Sequence, residues 1–71
     1  MSPDKLVYMA NQIGKFFAHG PEEQAAFNTA DHLKKFWDPR MRQAILDYVK
    51  AGGEGLQPIA LQAVRSLDPD A

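Results

Sequence analysis

The chain has 71 residues, no cysteine and a formal net charge of −1, from eight basic and nine acidic side chains. A chain this short forms one domain and buries only about 60% of its unfolded surface, so its core is marginal without a disulfide, a metal or a partner. The missing cysteines exclude disulfides and thiolate metal sites, and the small net charge excludes a global field that attracts nucleic acid. The remaining source of stability is a partner protein.

Four of the five prolines divide the chain, and an amphipathic stretch follows each of these four: Pro3, Pro21, Pro39 and Pro58. Proline favours the first position of a helix, because its missing N–H has no helical partner there and its φ is already helical. No window alternates polar and apolar residues with a period of two, so strands are not predicted. The sequence therefore predicts one all-α domain over residues 1–71, a small compact bundle of four short helices over roughly 3–18, 21–36, 39–50 and 58–67.

The first predicted helix has a cap at Ser2 and a wide apolar face. Its apolar residues cover about half of the circumference, whereas a single neighbouring helix needs a stripe little wider than about 100°. They are Leu6, Val7, Met9, Ala10, Ile13, Gly14, Phe16 and Phe17. The third predicted helix has a similarly wide apolar face. Either these two helices are central in the bundle, or another protein covers part of their surface.

The second predicted helix carries acids in its first turn and Lys34 and Lys35 in its last, as the helix dipole favours. Its apolar stripe consists of Ala26, Ala30, Leu33 and Trp37. Phe27 lies about 100° outside this stripe, since successive helical residues are about 100° apart. Two interpretations of Phe27 remain open: it packs under a loop, or it contacts a partner protein.

The third predicted helix ends at the glycine-rich stretch 51–55, because glycine takes the left-handed conformation that closes helices. A short fourth helix follows Pro58. The apolar faces of the predicted helices together define a central core. It is predicted to include Leu6, Ile13, Phe17, Leu33, Ile45 and Val49.

No residue pattern predicts catalysis or the binding of a metal or cofactor. The two histidines, His19 and His32, lack the further ligands of a zinc site, and Asp31 points to a different side of its helix from His32. Neither serine is spaced to pair with a histidine as a nucleophile. No glycine cluster follows a strand, so none can form a phosphate-binding loop. The predicted catalytic, cofactor-binding and metal-binding residues are therefore none.

The stretch FWDPRMR, residues 36–42, combines aromatic and basic side chains at a tight junction between two helices. Asp38 is a suitable cap, which places Trp37 and Arg42 at the two positions of a staple, here as a cation–π stack of about 0.5–2 kcal/mol. Arginines in a first turn oppose the helix dipole, and Trp and Arg are enriched in binding hot spots. The sequence predicts a structural corner that also binds a partner. The predicted partner-binding residues are Phe27, Phe36, Trp37, Arg40 and Arg42.

The alternative function is a small helical nucleic-acid-binding or regulatory module. Lys34, Lys35, Arg40 and Arg42 surround the two aromatic residues, and the junction resembles a helix-turn-helix. Nearby acids reduce the local positive charge, and the third helix has few side chains that would read bases. No nucleic-acid partner is therefore expected.

Three segments resemble a known family: LVYMANQIGKFFAH in the first helix, ADHLKKFWDPRMR at the corner, and GLQPIALQAV near the fourth helix. The resemblance is to the small delta subunit of soluble, NAD-dependent, molybdenum-containing formate dehydrogenase. It runs almost from end to end of the chain. The string HLKKFWDPRMR is its most specific part, because it is dense in rare residues.

The resemblance implies a non-catalytic subunit of a cytoplasmic complex, with no cofactor, membrane partner or small-molecule substrate of its own. In such complexes the catalytic alpha subunit holds molybdenum-bis(pyranopterin guanine dinucleotide) and iron–sulfur clusters. The beta and gamma subunits hold flavin and further clusters, and these groups lead to NAD. The small subunit is expected to dock on the alpha subunit and to support assembly, cofactor insertion or stability of the holoenzyme. The resemblance leaves open whether the subunit stays bound in the holoenzyme or acts only as a transient assembly factor. The N-terminal segment, which lacks the basic and apolar regions of a signal peptide, fits a cytoplasmic location.

Overall fold

The computed structural model describes residues 2–69, and all regular secondary structure in this range is helical. Its four helices are α1 (Pro3–Phe16), α2 (Glu22–Phe36), α3 (Pro39–Lys50) and α4 (Pro58–Arg65). The predicted all-α fold with four short helices is confirmed.

In the structure, two helices end earlier than predicted and one helix begins later than predicted. Helix α1 ends at Phe16 because the chain tightens there: the Ala18 N–H donates to the Lys15 oxygen at 3.2 Å, a three-residue step, and Gly20 follows with φ of +90°. Pro21 has φ −60° and ψ 140°, so it is the extended residue before α2 and not its first helical residue. Helix α4 ends at Arg65, after which Leu67 makes a similar three-residue bond to Val64.

Side-chain caps begin two of the helices, as the sequence predicts. The Ser2 hydroxyl accepts from the Lys5 N–H at 3.4 Å, and the Asp38 Oδ1 accepts from the Met41 N–H at 2.9 Å. Each cap satisfies one of the N–H groups that have no partner within the first turn of a helix. The start of α3, and with it the corner between α2 and α3, is therefore determined locally.

Removing the cap of α3 is expected to destabilise the protein modestly. Asp38→Ala should lower the free energy of unfolding by about 1 kcal/mol, because the Met41 N–H loses its acceptor. Asp38→Asn keeps an acceptor oxygen and should stay within about 0.5 kcal/mol of the wild type. Urea denaturation followed by circular dichroism measures both values. Equal losses in the two variants would mean that the carboxylate charge, and not the cap, is what stabilises the corner.

Helices α1 and α4 are the central pair, since each contacts all three other helices, whereas α2 and α3 lie on either side of them. This position explains part of the width of the apolar face of α1, but Phe16 on that face remains 71% exposed. The interpretation in which α1 and α3 are the two central helices is wrong for α3, because the short α4 occupies that place. The close approach of α1 and α4 is possible because Gly14 has no side chain. A Cβ added to Gly14 would lie only 3.4 Å from the Ile59 side chain.

The core forms around this central pair. Its buried cluster consists of Leu6, Ala10, Leu33, Trp37, Ile45, Leu46, Ala60 and Val64. Of the predicted core residues, Leu6, Leu33 and Ile45 are almost fully buried. Ile13 and Val49 pack against the cluster and are partly buried. Phe17 is only partly buried and lies at the edge, where it contacts other aromatic rings.

One side chain of α1 holds the loop that leads into α4. Asn11 donates from Nδ2 to the Gly55 oxygen at 3.0 Å, and its Oδ1 accepts from the Gln57 N–H at 2.9 Å. Gln57 is the residue before α4, and its own side chain makes no capping bond. Gly55 has φ of +91°, a conformation that favours glycine. The Asn11 amide therefore helps to position the central helix α4.

Candidate partner-binding surface

The two adjacent aromatic residues of the corner have opposite environments. Helix α2 ends at Phe36 and α3 begins at Pro39, with Trp37 and Asp38 extended between them. Trp37 is 5% exposed and belongs to the core, whereas Phe36 is 72% exposed. Trp37 therefore stabilises the corner from inside, and of the two rings only Phe36 is available to another protein. A direct partner-binding role for Trp37 stays an untested prediction, with little exposed surface to support it.

Arg42 joins the end of α2 to the start of α3. Its Nη1 donates to the Lys34 oxygen at 2.7 Å. The aromatic contacts within residues 2–69 do not include the predicted stack of Arg42 on Trp37. Lys34 lies in the last turn of α2, where carbonyl groups lack helical partners and positive charge is favourable. The cation that opposes the dipole of α3 thus stabilises the C-terminal end of α2.

Arg40 is the basic residue of the corner that has no internal role in the described structure. It is exposed, and its side chain makes no hydrogen bond or ion pair within residues 2–69. Its position in the first turn of α3 remains unfavourable with respect to the helix dipole. Arg40 therefore stays a candidate for binding a partner.

Phe27 does not pack under a loop, because 67% of it is exposed, so the first of its two interpretations is wrong. It precedes Phe36 by nine residues in α2. Nine residues correspond to about two and a half helical turns, which places the two rings on opposite sides of the helix. One flat partner surface cannot contact both of them.

Phe36 belongs to a row of aromatic side chains that connects α1 and α2. The rings of Phe16 and Phe17 pack edge to face with centroids 5.1 Å apart. Phe17 lies 6.0 Å from His32, and His32 lies 4.6 Å from Phe36. Phe16, at the outer end of this row, is 71% exposed. The row is only partly covered by the rest of the chain.

Two adjoining depressions lie along this row, and we refer to them together as the aromatic groove. The first has a volume of about 290 Å³ and is lined by Gln12, Ile13, Phe16, Phe17 and His32. The second has a volume of about 270 Å³ and is lined by Phe17, Asn28, Asp31, His32, Lys35 and Phe36. The two share Phe17 and His32, which lie between them.

The sequence interpretation missed most of this groove. It identified Phe36, but it placed Phe16 on an apolar face of α1 without deciding whether the bundle or another protein covers that residue. It assigned Phe17 to the core and gave His32 no role. The exposed fraction of Phe16 shows that the apolar face of α1 is wider than the core covers. The signal in the sequence was the excess width of the apolar face of α1. This width indicates that part of the face remains exposed, but not which residue.

The remaining features of the described range concern possible metal ligands and buried polar groups. Within residues 2–69, no group of three or more His, Asp or Glu side chains could hold a metal ion. In the same range every buried side-chain nitrogen and oxygen has a hydrogen-bond partner.

A further depression of about 240 Å³ lies between α1 and the start of α4, beside the Asn11 amide that holds the loop. No helix in the described range is long and apolar enough to cross a membrane.

Comparison with known protein families identifies the family of this chain. Residues 5–64 match the protein family described as NADH-dependent formate dehydrogenase delta subunit, FdsD. No curated protein and no solved structure matches the chain. The family match includes all of α2 and α3, the corner between them, and both walls of the aromatic groove.

Proposed function

Since the chain belongs to the family of formate dehydrogenase delta subunits, we propose that it is a non-catalytic accessory subunit of a cytoplasmic, NAD-dependent formate dehydrogenase. In this proposal it docks on the catalytic alpha subunit and supports assembly, cofactor insertion or stability of the holoenzyme. The family match carries the proposal. The exposed side chains of Phe16, Phe27 and Phe36 support it, because large exposed aromatics on a small protein are typical of interaction surfaces.

The redox cofactors of the complex are assigned to the other subunits in this proposal. Iron–sulfur clusters require cysteine thiolates, and the chain has no cysteine. The His, Asp and Glu residues of the described range are not grouped as metal ligands either. The donor set therefore does not fit an iron–sulfur or molybdenum site. The molybdenum-bis(pyranopterin guanine dinucleotide) and iron–sulfur clusters would belong to the alpha subunit, and the flavin and NAD sites to the beta and gamma subunits.

Co-purification tests the proposed function. The full chain, carrying an affinity tag, is produced together with all formate dehydrogenase subunits, and the recovered proteins are identified. We expect recovery of the alpha subunit, and loss of formate-dependent NAD reduction when the chain is omitted. The isolated chain should not turn over formate and NAD. Failure to recover the alpha subunit, together with full activity in the absence of the chain, would contradict the proposal.

The same preparation distinguishes a permanent subunit from an assembly factor. A permanent subunit would be recovered with alpha subunit that contains molybdenum and is active. An assembly factor would be recovered mainly with alpha subunit that lacks molybdenum, and would be absent from the active enzyme. Metal analysis of the two fractions measures this directly.

A nucleic-acid-binding role is less well supported than a protein interaction. Two of the four cations near the corner are already engaged: Lys35 pairs with Asp31 at 2.9 Å, and Arg42 donates to the Lys34 oxygen. We expect negligible binding to DNA at physiological salt. An affinity that falls by about one log unit per log unit of salt for each neutralised phosphate would favour this second role.

Arg40 tests whether the exposed side of the corner binds the complex. Arg40→Ala should weaken association with the alpha subunit by about 1 kcal/mol or more, roughly fivefold, because arginine is a frequent hot-spot residue. The free energy of unfolding should change by less than about 0.5 kcal/mol, since the described structure gives this side chain no internal partner. Titration of the purified subunits and thermal melting measure the two effects. Unchanged affinity would place the binding surface away from Arg40.

A further inference from the structure

We infer that a groove beside α3 binds a segment of the catalytic subunit in which two acidic side chains are separated by apolar residues. This inference rests on the proposed function and names the chemistry that holds the partner. The groove has three relevant properties: an apolar floor, positive charge around that floor, and an arginine that is already held in place.

The groove lies between α3 and the end of α4 with the residues that follow it. It consists of two depressions of about 250 and 310 Å³, and Leu46 lines both of them. On α3 the lining residues recur every three or four positions, so they form one face of the helix. They are Pro39, Arg42, Gln43, Leu46, Val49 and Lys50. We refer to the two depressions together as the basic groove.

The floor of the basic groove is apolar. Leu46 is 7% exposed, and Val49 and Leu67 are partly buried against the core cluster. Apolar side chains of a partner would leave water here, which favours association. The occupant therefore needs apolar residues where it crosses Leu46.

Basic side chains surround this floor. Lys34 and Arg42 line the first depression, and Lys50 and Arg65 line the second. Asp68 is the acidic residue of the described lining, which leaves an excess of three positive charges. The rest of the chain has four basic and eight acidic side chains. The basic groove is therefore a positive surface on a chain that is otherwise acidic, and it attracts negatively charged groups.

The cations of the basic groove are available to a partner. The side chains of Lys34 and Arg65 are exposed and make no hydrogen bond or ion pair within residues 2–69. The acids of α3 lie outside the lining, because Asp38 caps the helix and Asp47 accepts from the Gln43 amide at 2.9 Å. An acidic side chain that enters the groove thus finds positive charge without an internal competitor at these two residues.

Arg42 is held in place before a partner binds. Its Nη1 donates to the Lys34 oxygen at 2.7 Å, which fixes the guanidinium at the end of α2. Within the described range its Nε and Nη2 groups donate to no other residue, and together they can bind both oxygens of one carboxylate. A side chain that is already ordered loses less entropy on binding. Arg42 therefore favours a carboxylate at its end of the groove.

The two depressions require two acidic groups in the occupant, because each depression contains two cations. Arg42 and Lys50 are eight residues apart on α3, which corresponds to about 12 Å along the helix axis. A single small anion would contact the cations of one depression only. The occupant is therefore a segment with acidic side chains about 12 Å apart.

A nucleic-acid strand fits the basic groove less well than a protein segment. One strand advances about 3.4 Å per phosphate, so the groove would hold about four nucleotides before the strand met the acidic remainder of the chain. Its phosphates and sugars would also cover the apolar floor at Leu46 and Val49 with polar groups, which gain no partner there. A short acidic and apolar segment matches both the floor and its surroundings.

The test removes two cations from the basic groove and, in a matched control, two cations from α1. Each variant is made in the full chain, and its affinity for the purified alpha subunit is measured by titration. Lys34→Gln with Arg65→Gln should weaken binding by at least about tenfold. Lys5→Gln with Lys15→Gln removes the same charge at exposed positions outside the groove and should stay within about threefold of the wild type. Melting temperatures of the isolated variants should be similar, since all four side chains are exposed.

Salt dependence provides a second measurement on the same proteins. The affinity of the wild type should fall as the salt concentration rises, because salt screens the attraction between the cations and the acidic segment. The groove variant should show a shallower fall, and the α1 variant should follow the wild type.

A single charge reversal keeps the test valid if the double variant does not fold. Arg65→Glu changes one exposed residue in the last turn of α4 and should weaken binding by at least about tenfold. Its control is Lys15→Glu, which makes the same kind of change in the last turn of α1 and should stay within about threefold of the wild type.

The outcomes separate this inference from the proposed function. Unchanged affinity in a folded groove variant overturns the inference and leaves the proposed function intact. Equal losses in the groove and α1 variants also overturn it, because the partner would then respond to net charge and not to the groove. DNA binding or self-association of the wild type that only the groove variant loses would assign the groove to a nucleic acid or to a second copy. If the wild-type chain neither binds the alpha subunit nor is needed for activity, the proposed function fails, and this inference fails with it.

Discussion

Trp37→Ala is expected to lower the free energy of unfolding by about 3–5 kcal/mol, because the indole is 5% exposed and its removal leaves a cavity in the core. Proteins typically have about 0.05–0.15 kcal/mol of stability per residue, which gives about 4–11 kcal/mol for 71 residues. The loss is therefore comparable with the total stability. Urea denaturation of the isolated chain, followed by circular dichroism, should show a variant that is largely unfolded or close to unfolding at 37 °C.

Phe36→Ala is the matched control for this variant. It removes an aromatic ring from the neighbouring residue, but that ring is 72% exposed, so the change in stability should stay below about 0.5 kcal/mol. The contrast matters for function, because loss of the complex in Trp37→Ala would reflect unfolding, whereas loss in Phe36→Ala would reflect docking. Similar destabilisation in the two variants would contradict the assignment of Trp37 to the core and Phe36 to the surface.

Asn11→Ala should cost about 2 kcal/mol, since it removes both hydrogen bonds that hold the loop before α4. The Gly55 oxygen loses its donor and the Gln57 N–H loses its acceptor. A hydrogen bond contributes about 0.5–1.5 kcal/mol net, and a group left without a partner adds a desolvation cost. The effect should also appear as faster hydrogen exchange in α4, because this short helix is positioned by the loop.

Two further variants separate the hydrogen bonds of Asn11 from other effects. Asn11→Asp keeps the acceptor for the Gln57 N–H but places a second acceptor opposite the Gly55 oxygen, so it should be less stable than the wild type. Gln12→Ala changes the next residue, whose amide bonds to the Tyr8 hydroxyl on the surface, and should cost less than about 0.5 kcal/mol. A loss in Gln12→Ala as large as in Asn11→Ala would indicate weakening of α1 itself.

Within a few residues, the corner between α2 and α3 contains side chains that stabilise the fold and side chains that are exposed. Trp37, Asp38 and Arg42 are used internally, as a core ring, a cap and a donor to the end of α2. Phe36 and Arg40 are exposed and have no comparable structural use. A partner that binds here would contact a rigid surface, because the neighbouring internal contacts hold it in place. Binding to a preorganised surface loses less conformational entropy.

The sequence determined the helix starts and several core residues, because these depend on residues that are close together in the chain. Helix starts follow from proline and from the Ser2 and Asp38 caps, which act within three or four residues of the chain. Helical periodicity likewise identified Leu6, Leu33 and Ile45 as core residues, since each lies within an apolar stripe of its helix, and all three are buried. Three segments, of which the dense string at the corner is the most specific, indicated the family to which the chain belongs.

Only the tertiary structure decided how the helices use their apolar faces. Periodicity gives the angle of a residue about its own helix, but not which neighbour covers that angle. It therefore did not show that α4, rather than α3, is central with α1, or that Phe17 meets His32 from another helix. The same limit applies to Arg42, whose partner is a carbonyl eight residues earlier in the chain. These contacts depend on how the helices cross, which is set by the packing of all four together.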